Sequence, residues 1–426
     1  MNHYIQLIKK FLTQNTSSKQ TVIKNTFWLL LAEGISKGSL AVLIIMIWRI
    51  FGKEVFGQYS YLSVILTFLV VFADLGITQL AIRDYQHIDE KHRRQYLVTG
   101  LWTKGLLSIA VTAVYIGILW FAADTSFLRL IGLILLTNNL TNSFLEYIRS
   151  TFRSLQKGET ELRIKLIQWV GNLLLIPLLY VFQSLPLNLL GQSIVTIVTI
   201  GYARRLVRQR QLQTHEPEVM VTKTQLISNG RMFSMSMLFV SMYYFLDSLI
   251  IKKYWWYEQV GSYNAAYGLL VYVTAPMIII WKSIYPEIRK NYISRDFLAI
   301  HNIVLKTSLI TGFWYLILLL LWFMFSEDIM LLLYWPEYQA SWRILPLLLC
   351  AVFINSVYSS FWHTLAATDK QKYHTLATLV AVILNLIANL IFVPKHWIIA
   401  AWVITICTEL SLWVMIVYFY YANRKT

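Results

Sequence analysis

Ionisable side chains interrupt long apolar stretches of this sequence, among them Glu33, Lys37, Asp74, Lys104, Asp247, Lys282 and Glu409. A lysine in such a setting offers fixed positive charge to an anion, and a carboxylate offers a seat for a proton or small cation. Glu33 and Lys37 are four residues apart and therefore share a helix face. Lys37 lies about a dozen residues from either end of its apolar run, too far for its amine to snorkel to water. Gly34, Ser36, Gly38 and Ser39 surround it. Two uses compete: a cation facing a cavity, or a mutually neutralised pair on a small-residue packing face. Asp74, in the ADLG motif, carries protons in an antiport cycle or makes a structural pair with Lys104. Lys104 in turn meets an anion or balances Asp74, and Glu409 carries the same ambiguity. Lys282 is three residues from Tyr285-Pro286, within snorkelling reach of an interface. Asp247 is expected to be hydrated near a span end, and His363 to serve packing or hydrogen bonding.

No GxxxxGK[S/T] phosphate loop and no HExxH metal motif occurs, so neither nucleotide hydrolysis nor zinc-protease chemistry is expected. Cys350 and Cys407 lie inside separate apolar runs and supply neither a disulfide framework nor a metal cluster. No catalytic residue, metal ligand or cofactor is expected.

The elements that must position these groups are membrane helices. The chain is 57% hydrophobic and only 14% charged, where soluble domains carry about a quarter charged residues. Its apolar runs are long enough to cross about 30 Å of hydrocarbon. Such runs are helices, because backbone groups in lipid must be satisfied within the segment. The pattern predicts an all-α polytopic membrane protein with spans at 26–50, 59–82, 97–122, 127–148, 164–183, 186–203, 232–251, 260–285, 303–325, 342–366, 374–393 and 397–421. Pro177, Pro276 and Pro394 are candidate bends. Many of the 16 Trp and 26 Tyr stand at run ends, as interfacial anchors do.

The net charge of +16 would suggest nucleic acid in a soluble protein. Here the basic residues sit in short loops, 26 on one side of the predicted membrane against 7 on the other, which places both termini in the cytoplasm. Residues 1–25 read as an amphipathic helix on the inner leaflet. The domain reading is an N-lobe at 26–203, a basic cytoplasmic linker at 204–231, a C-lobe at 232–421 and a tail at 422–426. The lobes echo one another. Phe56-Gly57-Gln58-Tyr59 answers Val260-Gly261-Ser262-Tyr263, and Asn172 and Pro177 share the spacing of Asn389 and Pro394. Six spans per half make the halves parallel repeats.

Three stretches carry a family likeness: RIFGKEVFGQYSYLSVILTFLVVFADLGI at 49–77, DSLIIKKYWWYEQVGSYNAAYGLLVYVTAPM at 247–277, and LAATDKQKYHTLATLVAVILNLIANLIFVP at 365–394. In their order and spacing the chain resembles the oligosaccharide repeat-unit flippases (Wzx type) of the multidrug/oligosaccharidyl-lipid/polysaccharide exporter superfamily. The resemblance implies two six-helix lobes around a central cavity that opens alternately to either face of a bacterial inner membrane. It implies an undecaprenyl-pyrophosphate-linked oligosaccharide as cargo, for O-antigen or capsule assembly, with a polysaccharide polymerase and a chain-length regulator as partners. On that basis Lys37, Lys104 and Lys282 are candidate cations for the pyrophosphate. Glu33, Asp74, Glu409 and Asp247 are candidates for ion coupling or charge pairing. Asn138, Asn139, Asn142, Asn355, Asn385 and Asn389 either bind sugar hydroxyls or join helices. A drug antiporter of the same superfamily and a membrane-embedded polymerase or ligase are the rival readings. Several buried lysines favour an anionic lipid over cationic drugs. The loops lack the large outer segment that a polymerase would need.

Overall fold

The computed structural model describes residues 18–210, 222–333 and 345–423, and every regular element among them is helical. The protein is an all-α polytopic membrane protein. Among the described residues, nine helical stretches are long and apolar enough to cross a bilayer. Large apolar side chains stand outward on them, as Trp102, Phe121 and Met324 do. That is the surface expected where the surroundings are lipid rather than water.

The helices are α1 (Ser18–Asp74), α2 (Ile77–Asp84), α3 (Glu90–Ala122), α4 (Ser126–Ser154), α5 (Gly158–Phe182), α6 (Leu185–Arg210), α7 (Lys223–Tyr254), α8 (Tyr257–Val273), α9 (Ala275–Ile293), α10 (Phe297–Leu333), α11 (Leu345–Ala367) and α12 (Gln371–Asn423). Several expected spans are joined or broken, each at an identifiable residue. The first two meet within α1, whose one non-helical residue is Gly52, with φ of 72°. Trp48 and Phe56 close that corner edge to face, with ring centroids 4.3 Å apart. The second span then breaks at Leu75-Gly76, both at positive φ. The eighth breaks into α8 and α9 at Thr274, because Pro276 lacks the N–H that would continue the helix and suits a first turn instead. Pro177 and Pro394 lie inside helices that continue through them. The last two spans both lie in α12. Asn385 and Thr408 are 23 positions apart yet hydrogen-bonded, so the chain folds back between them. The expected amphipathic segment at 1–25 lies outside the described residues up to position 17.

The chain divides into two compact units. The first takes the described residues up to Leu43 and those from Ile65 to Met237; the second takes Ile44–Val64 and the described residues from Leu238 onward. The core of the first joins Ile77, Leu80, Tyr96, Leu145, Tyr147, Phe152 and Ile164. The core of the second joins Tyr243, Ile288, Val304, Tyr358, Phe361, Ala381 and Ile416. Within the second unit the two echoed motifs meet. Gly57 lies so close to the Tyr257 carbonyl, and Gly261 to the Lys53 carbonyl, that a Cβ on either would overlap backbone. Lys53 and Glu258 form an ion pair of 3.3 Å beside them.

Candidate functional site

In the first unit the ADLG motif makes a corner. The chain leaves α1 at Asp74, passes Leu75 and Gly76 at φ of 40° and 72°, and starts α2. A Cβ on Gly76 would overlap the Gly230 carbonyl, so the corner needs glycine for space as well as for φ. Asp74 serves the new helix as a cap: Thr78 donates its backbone N–H to Asp74 Oδ2 at 3.3 Å and its hydroxyl to Oδ1. Lys104 of α3 donates to the same carboxylate, to Thr78 Oγ1 at 3.3 Å and to Ser143 Oγ at 2.9 Å. The Tyr147 ring lies 5.8 Å from its amine. Lys104 is 1% exposed. The sequence left Asp74 and Lys104 as pair or mechanism, and the structure joins them. All three ammonium protons have acceptors, so the amine meets another anion only if this cluster opens.

A second polar system runs along α4, α5 and α6. Glu161, fully buried, accepts from Arg153, which also donates to Glu146 at 3.0 Å; Arg149 donates to the other Glu146 oxygen. From Arg149 a line of carboxamides continues through Gln168, Asn142, Asn138 and Gln192 to Asn188.

The second unit treats its acids differently. Asp247 of α7 is 2% exposed and accepts from Tyr263 at 2.7 Å, Asn389 at 2.9 Å and Thr405 at 3.3 Å. It is buried rather than hydrated, because α8 and α12 close over it with those three donors. Glu409 of α12 accepts from Tyr243, from Tyr358 at 2.6 Å and from Asn355 at 3.3 Å. Among the described residues neither acid makes an ion pair. A carboxyl group held only by neutral donors can take up or release a cation without breaking a salt bridge, and that is the chemistry this arrangement permits.

His363 stacks between Trp362 and Trp281, and His374 stacks on Trp362, consistent with the packing role expected of His363. The side chains of Glu33, Lys37 and Lys282 lie outside the described residues. Gly34-Ile35-Ser36-Lys37-Gly38 has GxSxG spacing, but it runs within α1 and not at the strand-to-helix turn that a nucleophile elbow needs. No group of His, Cys, Asp or Glu able to hold a metal ion occurs among the described residues. Sequence reasoning missed the three tyrosines around the acids, having treated aromatics only as interface anchors. Of the amide line it singled out Asn138 and Asn142 but not Gln168, Asn188 or Gln192, although Asn138, Asn142 and Glu146 on α4 and Asn188, Gln192 and Thr196 on α6 repeat every four residues.

The model of the family described as polysaccharide biosynthesis protein matches residues 22–292, and the MatE model matches residues 233–391. No curated protein matches the chain. Among solved structures, the lipid II flippase MurJ in an inward closed conformation is similar, with a TM-score of 0.72 and 12% identity, covering 92% of this chain and 87% of that one. The MATE multidrug transporter DinF-BH, solved with a bound ligand, gives a TM-score of 0.71 and 16% identity, with 97% of each chain covered. A transporter of the MOP superfamily from Pyrococcus furiosus gives 0.63 and 13%, with 98% of each chain covered. At these identities the solved structures speak for the fold.

Proposed function

Because the chain belongs to the polysaccharide biosynthesis protein family, we propose that it carries undecaprenyl-pyrophosphate-linked oligosaccharide repeat units from the cytoplasmic to the periplasmic leaflet of a bacterial inner membrane. The family match over residues 22–292 carries this reading. The route is alternating access coupled to an ion, in the service of O-antigen or capsule assembly, with a polymerase and chain-length regulator downstream. Physical chemistry sets the requirements. The pyrophosphate needs cations within the membrane, and the sugars need hydrogen-bonding groups, while the polyprenyl tail stays in lipid. Lys37 and Lys282 are our candidates for the pyrophosphate, with Lys104 available when Asp74 releases it. Asp247 and Glu409 are our candidates for the coupling ion, since neutral donors alone hold them. Glu33, four residues before Lys37, is our candidate for balancing its charge when no cargo is present.

A second reading, a small-molecule antiporter, draws on the MatE match over residues 233–391. Deleting the gene in a strain without redundant flippases separates the two. The proposed function expects lipid-linked repeat units to accumulate on the inner face and long surface polymer to vanish. Persistence of polymer together with intracellular accumulation of toxic cations would favour the antiporter.

A further inference from the structure

The amide line of the first unit has a fixed direction. Arg149 Nη1 donates to Gln168 Oε1 at 3.2 Å, and Gln168 Nε2 to Asn142 Oδ1 at 2.7 Å. Asn142 donates to Asn138 Oδ1, Asn138 Nδ2 to Gln192 Oε1 at 3.3 Å, and Gln192 Nε2 to Asn188 Oδ1 at 2.7 Å. Asn188 Nδ2 ends the line on the Leu175 carbonyl at 3.2 Å. A guanidinium can only donate and a carbonyl can only accept, so every carboxamide between them must point the same way. A head-to-tail chain that begins at a cation polarises each member in turn and strengthens its remaining donors.

Two features go beyond what helix packing requires. Packing alone would leave buried polar atoms paired. Here Arg149 Nε and Asn172 Oδ1 are buried without a partner. Arg149 as a whole is 9% exposed. Asn172 stands four residues beyond Gln168 on the same face of α5. One orphan is a donor and the other an acceptor, the two roles a sugar hydroxyl combines; both atoms are closed off here, so a hydroxyl meets them when the seam opens. Asn142, Gln168 and Gln192 are only partly buried. Asn142 and Gln168 spend their second amide protons on the Asn138 carbonyl and on Thr196, so what they offer outward is the spare lone pair of each amide oxygen, and Gln192 adds one N–H. The repeat also has a suitable length. Asn138, Asn142 and Glu146 follow one another at i, i+4, a rise of about 6 Å, the scale of one sugar ring.

We propose that this seam between α4, α5 and α6 is a glycan-binding track that recognises neutral pyranose units of the cargo, an inference that rests on the function proposed above. The carboxamides and Arg149 supply the paired donors and acceptors that adjacent ring hydroxyls require, and the acids of the second unit take no part in it.

The test uses the full chain purified in detergent and two probes. One is the free oligosaccharide released by mild acid from the lipid-linked material of cells lacking the gene. The other is undecaprenyl pyrophosphate, which carries no sugar. Affinity for each is measured, with the melting temperature recorded alongside. Asn142→Leu and Gln192→Leu are expected to weaken oligosaccharide binding by about tenfold each, the worth of one lost hydrogen bond, and to leave undecaprenyl pyrophosphate binding unchanged. Asn172→Leu breaks no bond of the line; it should weaken the oligosaccharide similarly without lowering the melting temperature. Oligosaccharide binding unchanged in all three variants would overturn the proposal. So would equal weakening of both probes together with a lower melting temperature, the mark of a packing device. A wild-type chain that binds undecaprenyl pyrophosphate but no oligosaccharide sinks the track and leaves the function standing. One that binds neither probe sinks both.

Discussion

Lys104 cannot be removed alone without stranding Asp74, since the two are buried against each other and share Thr78. Losing one partner of such a pair costs about 3–5 kcal/mol, whereas replacing both with neutral groups costs little. Lys104→Met should therefore lower the melting temperature of the purified protein markedly, and Asp74→Asn with Lys104→Met should recover most of the loss. A double variant as unstable as the single would show that the pair is not the relevant contact. The acids of the second unit predict the opposite behaviour. Glu409→Gln and Asp247→Asn keep one oxygen for a tyrosine donor, and the new amide N–H can donate to a hydroxyl that turns to accept it, so melting should change little while complementation of surface polymer is abolished. Full polymer in either variant would remove that acid from the coupling role. The sequence marked all four residues by their charge in apolar surroundings. It offered the Asp74–Lys104 pair as one of two uses but gave no sign of the tyrosines, because those partners come from helices far apart in the chain: Glu409 receives Tyr243 across 166 positions and Tyr358 across 51.

Helices are where the sequence was most readable, and their corners least. Apolar length located the spans, since lipid leaves the backbone no other way to satisfy itself. The α4 helix was found despite its polar face of Thr137, Asn138, Asn142 and Glu146, the same face that carries the amide line. The break at Thr274 was less visible, because a proline marks a bend or a stop with equal ease until its neighbours are known. Close approach of elements was also hidden. The likeness of Gly57 and Gly261 suggested repetition, but not that each lies against the other's segment. Gly57→Ala would drive a methyl group into the Tyr257 carbonyl and should cost about 1–3 kcal/mol. Gly34→Ala, in α1 where no described residue lies within reach of a Cβ, should be neutral or stabilising by up to about 1 kcal/mol. Thermal melting of the two variants side by side checks both. Equal melting would mean that the segments at 57 and 261 separate at no cost.

For the whole molecule, orientation follows from charge. The basic loops predict both termini in the cytoplasm. A reporter active only in the periplasm should give signal when fused after Gly57 or Val260 and none when fused after Gln213. Signal after Gln213 would overturn the orientation and the even number of crossings. The compact units follow a different logic from the linear division at 204–231 read from the sequence. Residues 44–64 pack with the second unit, and the start of α7 packs with the first. That exchange has a consequence for biosynthesis. The ribosome delivers the kinked segment around Gly52 before the other helices of the second unit. It must wait in the bilayer, its Gly57 face uncovered, until Tyr257 and Gly261 have been made and inserted. Such non-local closure slows assembly and leaves an early intermediate open to wrong partners. A chain arrested halfway would therefore be an unfinished product with an unclaimed segment, a natural target for membrane quality control.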